Sequence, residues 1–249
     1  MLFTDLVDST QLSAAAGGAA ADSFWAHHDS AGRDLIRQWH GLEVGRSDGF
    51  LVLFSRAADG LGFAMGYHAL LSALQPPMAA RVGAHWATVK LRRNRPADVA
   101  GGATPFEIDG LAVPAAARVM AVARGGQTLF STDAVAALRL DDGVPAHVVV
   151  PHGYWRLKGL PQPLELLALA APGAQTEPPE DAPKGYRVQW LDGLWTPVAT
   201  APGNLGAELD PFFGREADLR LLASLFEDGA RLVSLVGPGG MGKTRLGQR

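Results

Sequence analysis

The chain has 249 residues, of which 47% are hydrophobic and 19% are charged, with a formal net charge of −3 and no cysteine. This balance gives no reason to expect nucleic-acid binding, because a non-specific binder needs a basic field to displace counterions. The lack of cysteine excludes disulfides, thiolate catalysis and Cys-ligated zinc, and it predicts a reducing compartment, the cytoplasm. The sequence shows neither a signal peptide nor an apolar run of about 20 residues, so we expect no membrane insertion.

The first predicted element is a short apolar strand that ends in a carboxylate. In the string LFTDLVDST, Asp5 follows the strand and is itself followed by Ser9 and Thr10, which are good N-cap residues for a helix. We expect the backbone N–H groups of residues 6–10 to face a common point near Asp5. A carboxylate beside a helix N-terminus predicts a place where a metal ion and a phosphate are held together.

A second carboxylate lies in a predicted β-hairpin. Asp48 stands in an Asp-Gly turn between residues 42–44 and the apolar run 50–54. If this hairpin lies beside the first strand, Asp48 meets Asp5. Two such carboxylates can hold two divalent metal ions about 3.5–4 Å apart, which suits an in-line displacement at phosphorus. Taken singly, each aspartate is also explained as a helix cap or a turn residue.

The other predicted elements up to residue 130 are helices and strands in alternation. We expect a helix over residues 11–39, bent at its Gly-Gly pair, and a second helix over residues 57–74, closed by Pro-Pro. A strand is expected over residues 80–90 and an extended excursion over residues 91–106. A third helix over residues 112–124 and a strand over residues 128–130 follow. Helices that cross between strands, some of them hairpin-paired, predict an α+β sandwich. The histidines show no zinc-ligand spacing, and we expect surface or packing roles for the adjacent His27 and His28. His85 is expected to be a satisfied core histidine rather than a proton shuttle.

The composition changes after Leu169. A stretch rich in Pro, Ala, Gly and Glu predicts a linker. The apolar segment 186–198 is expected to pack as a short hairpin turned at Asp192-Gly193 and to fold back on the preceding domain. Beyond it, a helix is expected up to Phe226.

The string GPGGMGKT follows a predicted strand over residues 232–236 and satisfies the P-loop pattern. Its glycines, among them Gly237 and Gly242, let backbone N–H groups approach phosphates, while Lys243 reaches the β/γ oxygens and Thr244 can hold Mg²⁺. No second acidic motif and no further strand follow, so we expect an incomplete NTPase site. The expected domains are residues 1–170, a linker with a short packed segment over 171–210, and the start of a P-loop domain over 211–249.

Six strings resemble, in the same order, the successive motifs of class III adenylate/guanylate cyclase catalytic domains: LFTDLVDST, SDGFLVLF, RVGAHWATV, DGLAVPAAARVM, GGQTLFS and WRLKGLPQPLELLAL. They cover roughly residues 1–170, and six ordered motifs are more specific than any one of them. The resemblance implies a ferredoxin-like α/β sandwich that converts ATP or GTP to a 3′,5′-cyclic nucleotide and pyrophosphate with two Mg²⁺ or Mn²⁺ ions. It also implies a homodimer, because in that family each active site is shared between two protomers.

The resemblance assigns roles to individual residues. Asp5 and Asp48 fall on the metal ligands, with the carbonyl of Leu6 as a further contact. Arg118 falls on the arginine that stabilises the transition state from the other protomer, a role that suits a guanidinium. The other positions expected at the substrate are Val7, Asp8, Ser9, Thr10, Val44, Glu107 and Pro114.

Three of these positions depart from the family's pattern. The family usually has Asn where Pro114 stands, and proline has no amide to orient a ribose. A base-recognising Lys or Glu is expected where Val44 stands, with Glu43 and Arg46 nearby as substitutes. Glu107 takes the place of the partner Asp. The choice between ATP and GTP therefore stays open.

Two functions are compatible with the sequence. The first is a nucleotidyl cyclase, a phosphorus–oxygen lyase of intracellular signalling. The second is a catalytically degenerate cyclase-like module that dimerises or senses nucleotide for a downstream ATPase. The FGRE string and the P-loop resemble the opening of a STAND-type or AAA-like signalling ATPase, so we expect the chain to be a fragment of a longer regulator.

Overall fold

The structure is a computed structural model, and its described residues are 1–10, 18–46, 48–141, 148–170, 176–191, 193–198, 214–238, 240 and 242–247. The chain forms two compact units, Met1–Val198 and Ala199–Arg249. Within the described residues, no helix is both long and apolar enough to cross a lipid bilayer.

The first unit is built on one large sheet. Its described strands are β1 (Leu2–Leu6), β2 (Leu42–Arg46), β3 (Phe50–Leu53), β4 (Ala80–Ala84), β5 (Lys90–Arg93), β6 (Phe106–Asp109), β7 (Thr128–Ser131), β8 (Val148–Leu157), β9 (Leu164–Ala170), β10 (Gly185–Leu191) and β11 (Leu194–Pro197). Nine of them form the sheet in the order β11-β10-β8-β9-β7-β4-β1-β3-β2, and β5 pairs with β6 separately. β4 and β7 run parallel, whereas β1 is antiparallel to both of its neighbours.

Helices pack on both faces of this sheet. They are α1 (Gly18–Gln38), α2 (Ala57–Ala73), α4 (Ala112–Ala121) and α5 (Thr132–Leu140), whereas the short helix α3 (Pro96–Ala100) lies between β5 and β6 in the chain and has no buried residue. Helices α1, α2 and α5 contribute to the apolar clusters on one face, and α4 contributes to those on the other. This arrangement confirms the expected α+β fold.

The alternation of side chains along β1 explains the packing on two faces. Leu2 and Leu6 are buried in a cluster with Ile36 of α1 and Phe63 of α2. Phe3 packs instead against the cluster that contains α4. Successive residues of a strand point to opposite faces of the sheet, so the interior strand β1 supplies apolar side chains to both layers.

Some predicted elements have different bounds. Strand β4 ends at Ala84 rather than at residue 90, and the predicted excursion 91–106 contains β5, α3 and the start of β6. All four residues of β5 are exposed, so no apolar alternation marks this strand in the sequence. Helix α4 ends three residues before the predicted end, and residues 11–17 of the predicted first helix lie outside the described residues.

The predicted hairpin over residues 186–198 is confirmed, although Asp192 at its turn lies outside the described residues. Strand β10 pairs with β11 on one side and with β8 on the other, so the hairpin extends the main sheet. Hydrogen bonds attach the segment that precedes the hairpin to the residues that follow α4. Arg124 Nε donates to the carbonyl of Pro178 at 2.8 Å, and Gln127 Nε2 donates to the carbonyl of Glu177 at 2.7 Å.

The second unit contains α6 (Glu216–Glu227) and the short helix α7 (Lys243–Gly247). The helix predicted up to Phe226 is confirmed, but the strand predicted over residues 232–236 is wrong. These residues have no regular secondary structure, and Leu232 is 86% exposed. No strand of the described part of this unit lies beside them, and a strand needs a partner for its N–H and C=O groups.

Candidate functional site

Asp5 and Asp48 converge in the structure, as the sequence predicts. Asp5 is near the end of β1, Asp48 is in the turn between β2 and β3, and β3 pairs with β1. The two carboxyl groups are close enough for the charge of Asp48 to raise the pKa of Asp5. Ser9, in the helical turn that follows β1, donates from Oγ to Asp48 Oδ2 at 2.6 Å. The end of a strand, the tip of a hairpin and the start of a helical turn therefore meet at one point.

The pKa of Asp5 is raised above its ordinary value. Burial is the largest cause, and the charge of Asp48 acts in the same direction, whereas Arg81 and Lys184 act against it. Two neighbouring carboxylates repel each other when both are ionised. A divalent cation would remove this repulsion, so the pair favours cation binding.

Sequence reasoning missed two basic residues near Asp5. Arg81 lies directly opposite Asp5 in the β1–β4 ladder, and its Nη1 is 3.6 Å from Asp5 Oδ2. Lys184 immediately precedes β10 and lowers the pKa of Asp5 through its charge. Strand alternation separates the face of Arg81 from that of Val82, but only the register of the sheet brings Arg81 to Asp5.

The predicted base-recognition positions lie on β2. Val44 stands at the register shift of the β2–β3 ladder, next to Glu43. Glu43 accepts hydrogen bonds from Nε and Nη2 of Arg33, at 2.8 and 3.1 Å. Arg46 Nη2 lies 2.6 Å from Asp29 Oδ1. The two candidate substitutes for the base-recognising residue are therefore already engaged with side chains of α1.

Pro114 and Arg118 lie on α4. Pro114 is in the first turn, where an N–H has no intrahelical partner, so the helix tolerates it. Arg118 donates from Nε to the carbonyl of Lys158 at 3.1 Å. The predicted transition-state arginine is thus anchored to the loop after β8 of its own chain.

Glu107 lies on β6, in the two-stranded arm rather than in the main sheet. Its side chain is exposed, and its Oε1 accepts a hydrogen bond from Asn94 Nδ2 at 3.0 Å. Glu107 and Val44 thus lie in different sheets, and their joint role in base recognition stays a prediction.

The turn after β1 offers fewer free donors than the sequence suggests. The N–H of Val7 donates to the carbonyl of Ala79 at 2.9 Å. One of the N–H groups expected to bind phosphate is therefore already engaged. Asp8 has a φ of 58°, in the left-handed region, and this reverses the chain before Ser9 and Thr10 enter the helical turn. A phosphate-binding role for this turn stays a prediction.

The P-loop residues lie in the second unit. Lys243 Nζ donates to the carbonyls of Gly237, at 2.8 Å, and of Pro238, at 2.7 Å. Gly242 has a φ of 75°, which glycine adopts easily, and Thr244 is exposed. Gly239 and Met241, inside the motif, lie outside the described residues.

The donor set at Asp5 and Asp48 fits a hard divalent cation. Both side chains are partly buried carboxylates, and the carbonyl of Leu6 follows directly in the chain. In the described part of the chain, no group of three or more His, Cys, Asp or Glu side chains could hold a metal ion. Further ligands would have to be backbone carbonyls, water or the phosphates of a substrate, which is the usual coordination of Mg²⁺.

Comparison with protein-family models and with curated proteins finds no match. Solved structures do match. An adenylate cyclase from Trypanosoma brucei in its monomeric state is 23% identical, with a TM-score of 0.59, over 72% of this chain and 92% of the other. The adenylyl cyclase CyaB from P. aeruginosa is 14% identical, with a TM-score of 0.60, over 68% and 92%. The guanylate cyclase domain of RhGC from Catenaria anguillulae, in complex with GTP, is 15% identical, with a TM-score of 0.53, over 68% and 94%.

These similarities concern the three-dimensional arrangement, since the identities are low. They agree with the order of the six sequence motifs. The chain has the mixed α+β fold of class III adenylate/guanylate cyclase catalytic domains.

Proposed function

We propose that the chain is a nucleotidyl cyclase, which converts ATP or GTP to the 3′,5′-cyclic nucleotide and pyrophosphate. The observation that carries this proposal is the convergence of Asp5 and Asp48 beside the helical turn that contains Ser9. The similarity in fold to adenylate and guanylate cyclases supports it, and one of those structures contains GTP.

The reaction forms a bond between O3′ and the α-phosphorus and breaks the bond from that phosphorus to the bridging oxygen of the β-phosphate. Pyrophosphate and a proton are released. Asp5, Asp48 and the carbonyl of Leu6 would hold two Mg²⁺ or Mn²⁺ ions. When bound, such ions lower the pKa of the attacking hydroxyl and stabilise the leaving oxygen.

The residues around the carboxylates have separate tasks in this proposal. Ser9 orients Asp48 through its short hydrogen bond. Arg81, beside Asp5, supplies a guanidinium for the triphosphate oxygens, whose geometry it matches. The charge of Arg81 also acts against the rise in the pKa of Asp5 and so favours the ionised form that binds a metal ion.

We further propose that the active site is shared in a homodimer. Arg118 is held by the carbonyl of Lys158 in its own chain. A second copy would present its Arg118 to the α-phosphate oxygens bound near Asp5 and Asp48. A guanidinium in that position stabilises the charge that develops in the transition state.

A second function is favoured by the departures from the cyclase motifs. Val44 and Pro114 cannot form the polar contacts expected with base and ribose, and Glu43 and Arg46 are engaged elsewhere. A cyclase-like module that dimerises or binds nucleotide without turnover would need none of these contacts. In that case the module would act on a downstream P-loop ATPase.

The decisive experiment measures cyclic nucleotide formed by the purified chain with Mn²⁺ and either ATP or GTP. Product is expected from the parent, and at least about 100-fold less from Asp48→Ala, since this change removes a metal ligand. Asp34→Ala is a matched control, because Asp34 is an exposed carboxylate on α1 that pairs with Arg37.

Asp34→Ala is expected to retain the parent's activity. A parent without activity that still binds nucleotide would favour the second function. Equal activity of the parent and Asp48→Ala, with equal thermal melting, would remove the carboxylate pair from the mechanism.

A further inference from the structure

A circuit of polar contacts runs through the core beneath the carboxylate pair. Its central members are Thr4, His28 and Tyr67, from β1, α1 and α2, and each has an exposed fraction of 0%. Fully buried polar side chains are kept only where their hydrogen bonds are satisfied. Thr4 immediately precedes Asp5 in the chain, so one end of the circuit lies next to the site.

The first bond of the circuit fastens the hairpin to β1. The N–H of Phe50 donates to Thr4 Oγ1 at 2.7 Å, and Phe50 lies two residues after Asp48. Backbone pairing between β1 and β3 is found at residues 2 and 3, so this side-chain bond extends the attachment towards Asp48. This close approach of the hairpin to β1 also requires glycine at position 49, because a Cβ there would lie 2.1 Å from the carbonyl oxygen of Thr4.

The circuit then crosses the core. Thr4 interacts with the hydroxyl of Tyr67 and partly offsets the rise that burial causes in the pKa of Tyr67. That hydroxyl lies 2.8 Å from His28 Nε2. Burial lowers the pKa of His28, which favours the neutral ring. The neutral ring accepts from Tyr67 at Nε2 and donates from Nδ1 to Asp29 Oδ1 at 3.0 Å.

The circuit closes on the other strand of the same hairpin. Asp29 also pairs with Arg46 Nη2 at 2.6 Å. Arg46 ends β2 two residues before Asp48, and Phe50 begins β3 two residues after it. Both sides of the turn that carries Asp48 are therefore tied to the core, one through Thr4 and the other through Asp29.

We propose that Thr4, Tyr67 and His28 are positioning residues for the metal-binding pair. They hold the hairpin so that Asp48 faces Asp5 despite the repulsion between the two carboxylates. Without this restraint, a turn that contains an Asp-Gly pair would relax away from β1. The proposal rests on the proposed function, because it assigns a purpose to the geometry of a cation site.

The test measures Mn²⁺ affinity of the full chain without nucleotide, by electron paramagnetic resonance of free Mn²⁺. Thr4→Val keeps the shape of the side chain but removes the hydroxyl, and it is expected to weaken Mn²⁺ binding about tenfold. Thr4→Ser keeps the hydroxyl and should restore the affinity of the parent. Thr128→Val is a matched control, because it removes a hydrogen bond of 2.9 Å to His68 elsewhere in the same sheet.

Thr128→Val is expected to lower the melting temperature without changing Mn²⁺ affinity. The inference is overturned if Thr4→Val lowers only the melting temperature and binds Mn²⁺ as the parent does. If Thr4→Val does not fold, Tyr67→Phe removes the next hydroxyl while keeping the ring, and the same loss of affinity is expected. Asp48→Ala separates the two proposals: unchanged Mn²⁺ binding in that variant would refute the cation site itself.

Discussion

The strand before Asp5 and the segment before the P-loop have similar apolar sequences and different structures. Strand β1 is paired on both sides, by β3 and β4, and its Leu2 is 1% exposed. Residues 232–236 form no strand, and Val236 is 93% exposed. An apolar run therefore becomes a strand only where neighbouring strands accept its backbone hydrogen bonds.

The polar residues of the two regions differ in the same way. Asp5 interacts with Asp48 and Arg81, which are brought to it by the sheet from distant parts of the chain. Lys243 donates to carbonyls only five and six residues away. A local motif can be complete in sequence while its lysine donates to carbonyls of its own loop, and a catalytic site needs groups fixed from several elements.

The largest effect is expected from a complementation experiment, which asks whether the carboxylate site also needs a second chain. Asp5→Ala and Arg118→Ala should each form cyclic nucleotide at least about 100-fold more slowly than the parent. An equal mixture should recover about a quarter of the parent's activity, because half of the dimers are mixed and one of their two sites has neither defect. Cyclic nucleotide formation after subunit exchange provides the measurement.

Tagged copies of the two variants would report whether subunits exchange. Absence of recovery despite exchange would rule out the shared site. Recovery would show that the carboxylate site depends on contacts between chains as well as on contacts within one chain.

An intermediate effect is expected where the hairpin meets β1. In Gly49→Ala, the new Cβ would lie 2.1 Å from a backbone oxygen, so the hairpin must shift. We expect a loss of about 2–3 kcal/mol in the free energy of unfolding and a fall in melting temperature of roughly 5–10 °C. Gly45→Ala in the same hairpin is the control, because its Cβ would meet only Leu51, at 3.6 Å. Equal melting of the two variants would contradict the close contact.

The smallest effect is expected in the P-loop. Lys243→Ala should form cyclic nucleotide at the rate of the parent, because the ammonium group is engaged with its own loop and belongs to the other unit. Kinetics with ATP and GTP would measure this directly, with Asp48→Ala as the inactive reference. A loss of most of the activity in Lys243→Ala would show that the two regions are coupled.

Sequence reasoning was accurate where the relevant signals lie within about ten residues. The Asp-Gly turn and the flanking apolar residues predicted the hairpin, and the string around Asp5 predicted a strand followed by a helical turn. It failed for β5, whose residues are all exposed, and for residues 232–236, where apolar character was not matched by a partner strand.

The sequence by itself determined the two carboxylates, the elements that carry them and the order of the cyclase-like motifs. Only the tertiary structure placed Arg81 opposite Asp5, joined Tyr67 to His28 and added β10 to the main sheet. The physical reason is that local propensity and alternation fix the type of an element, whereas the register and neighbours of a strand depend on long-range packing of the whole sheet.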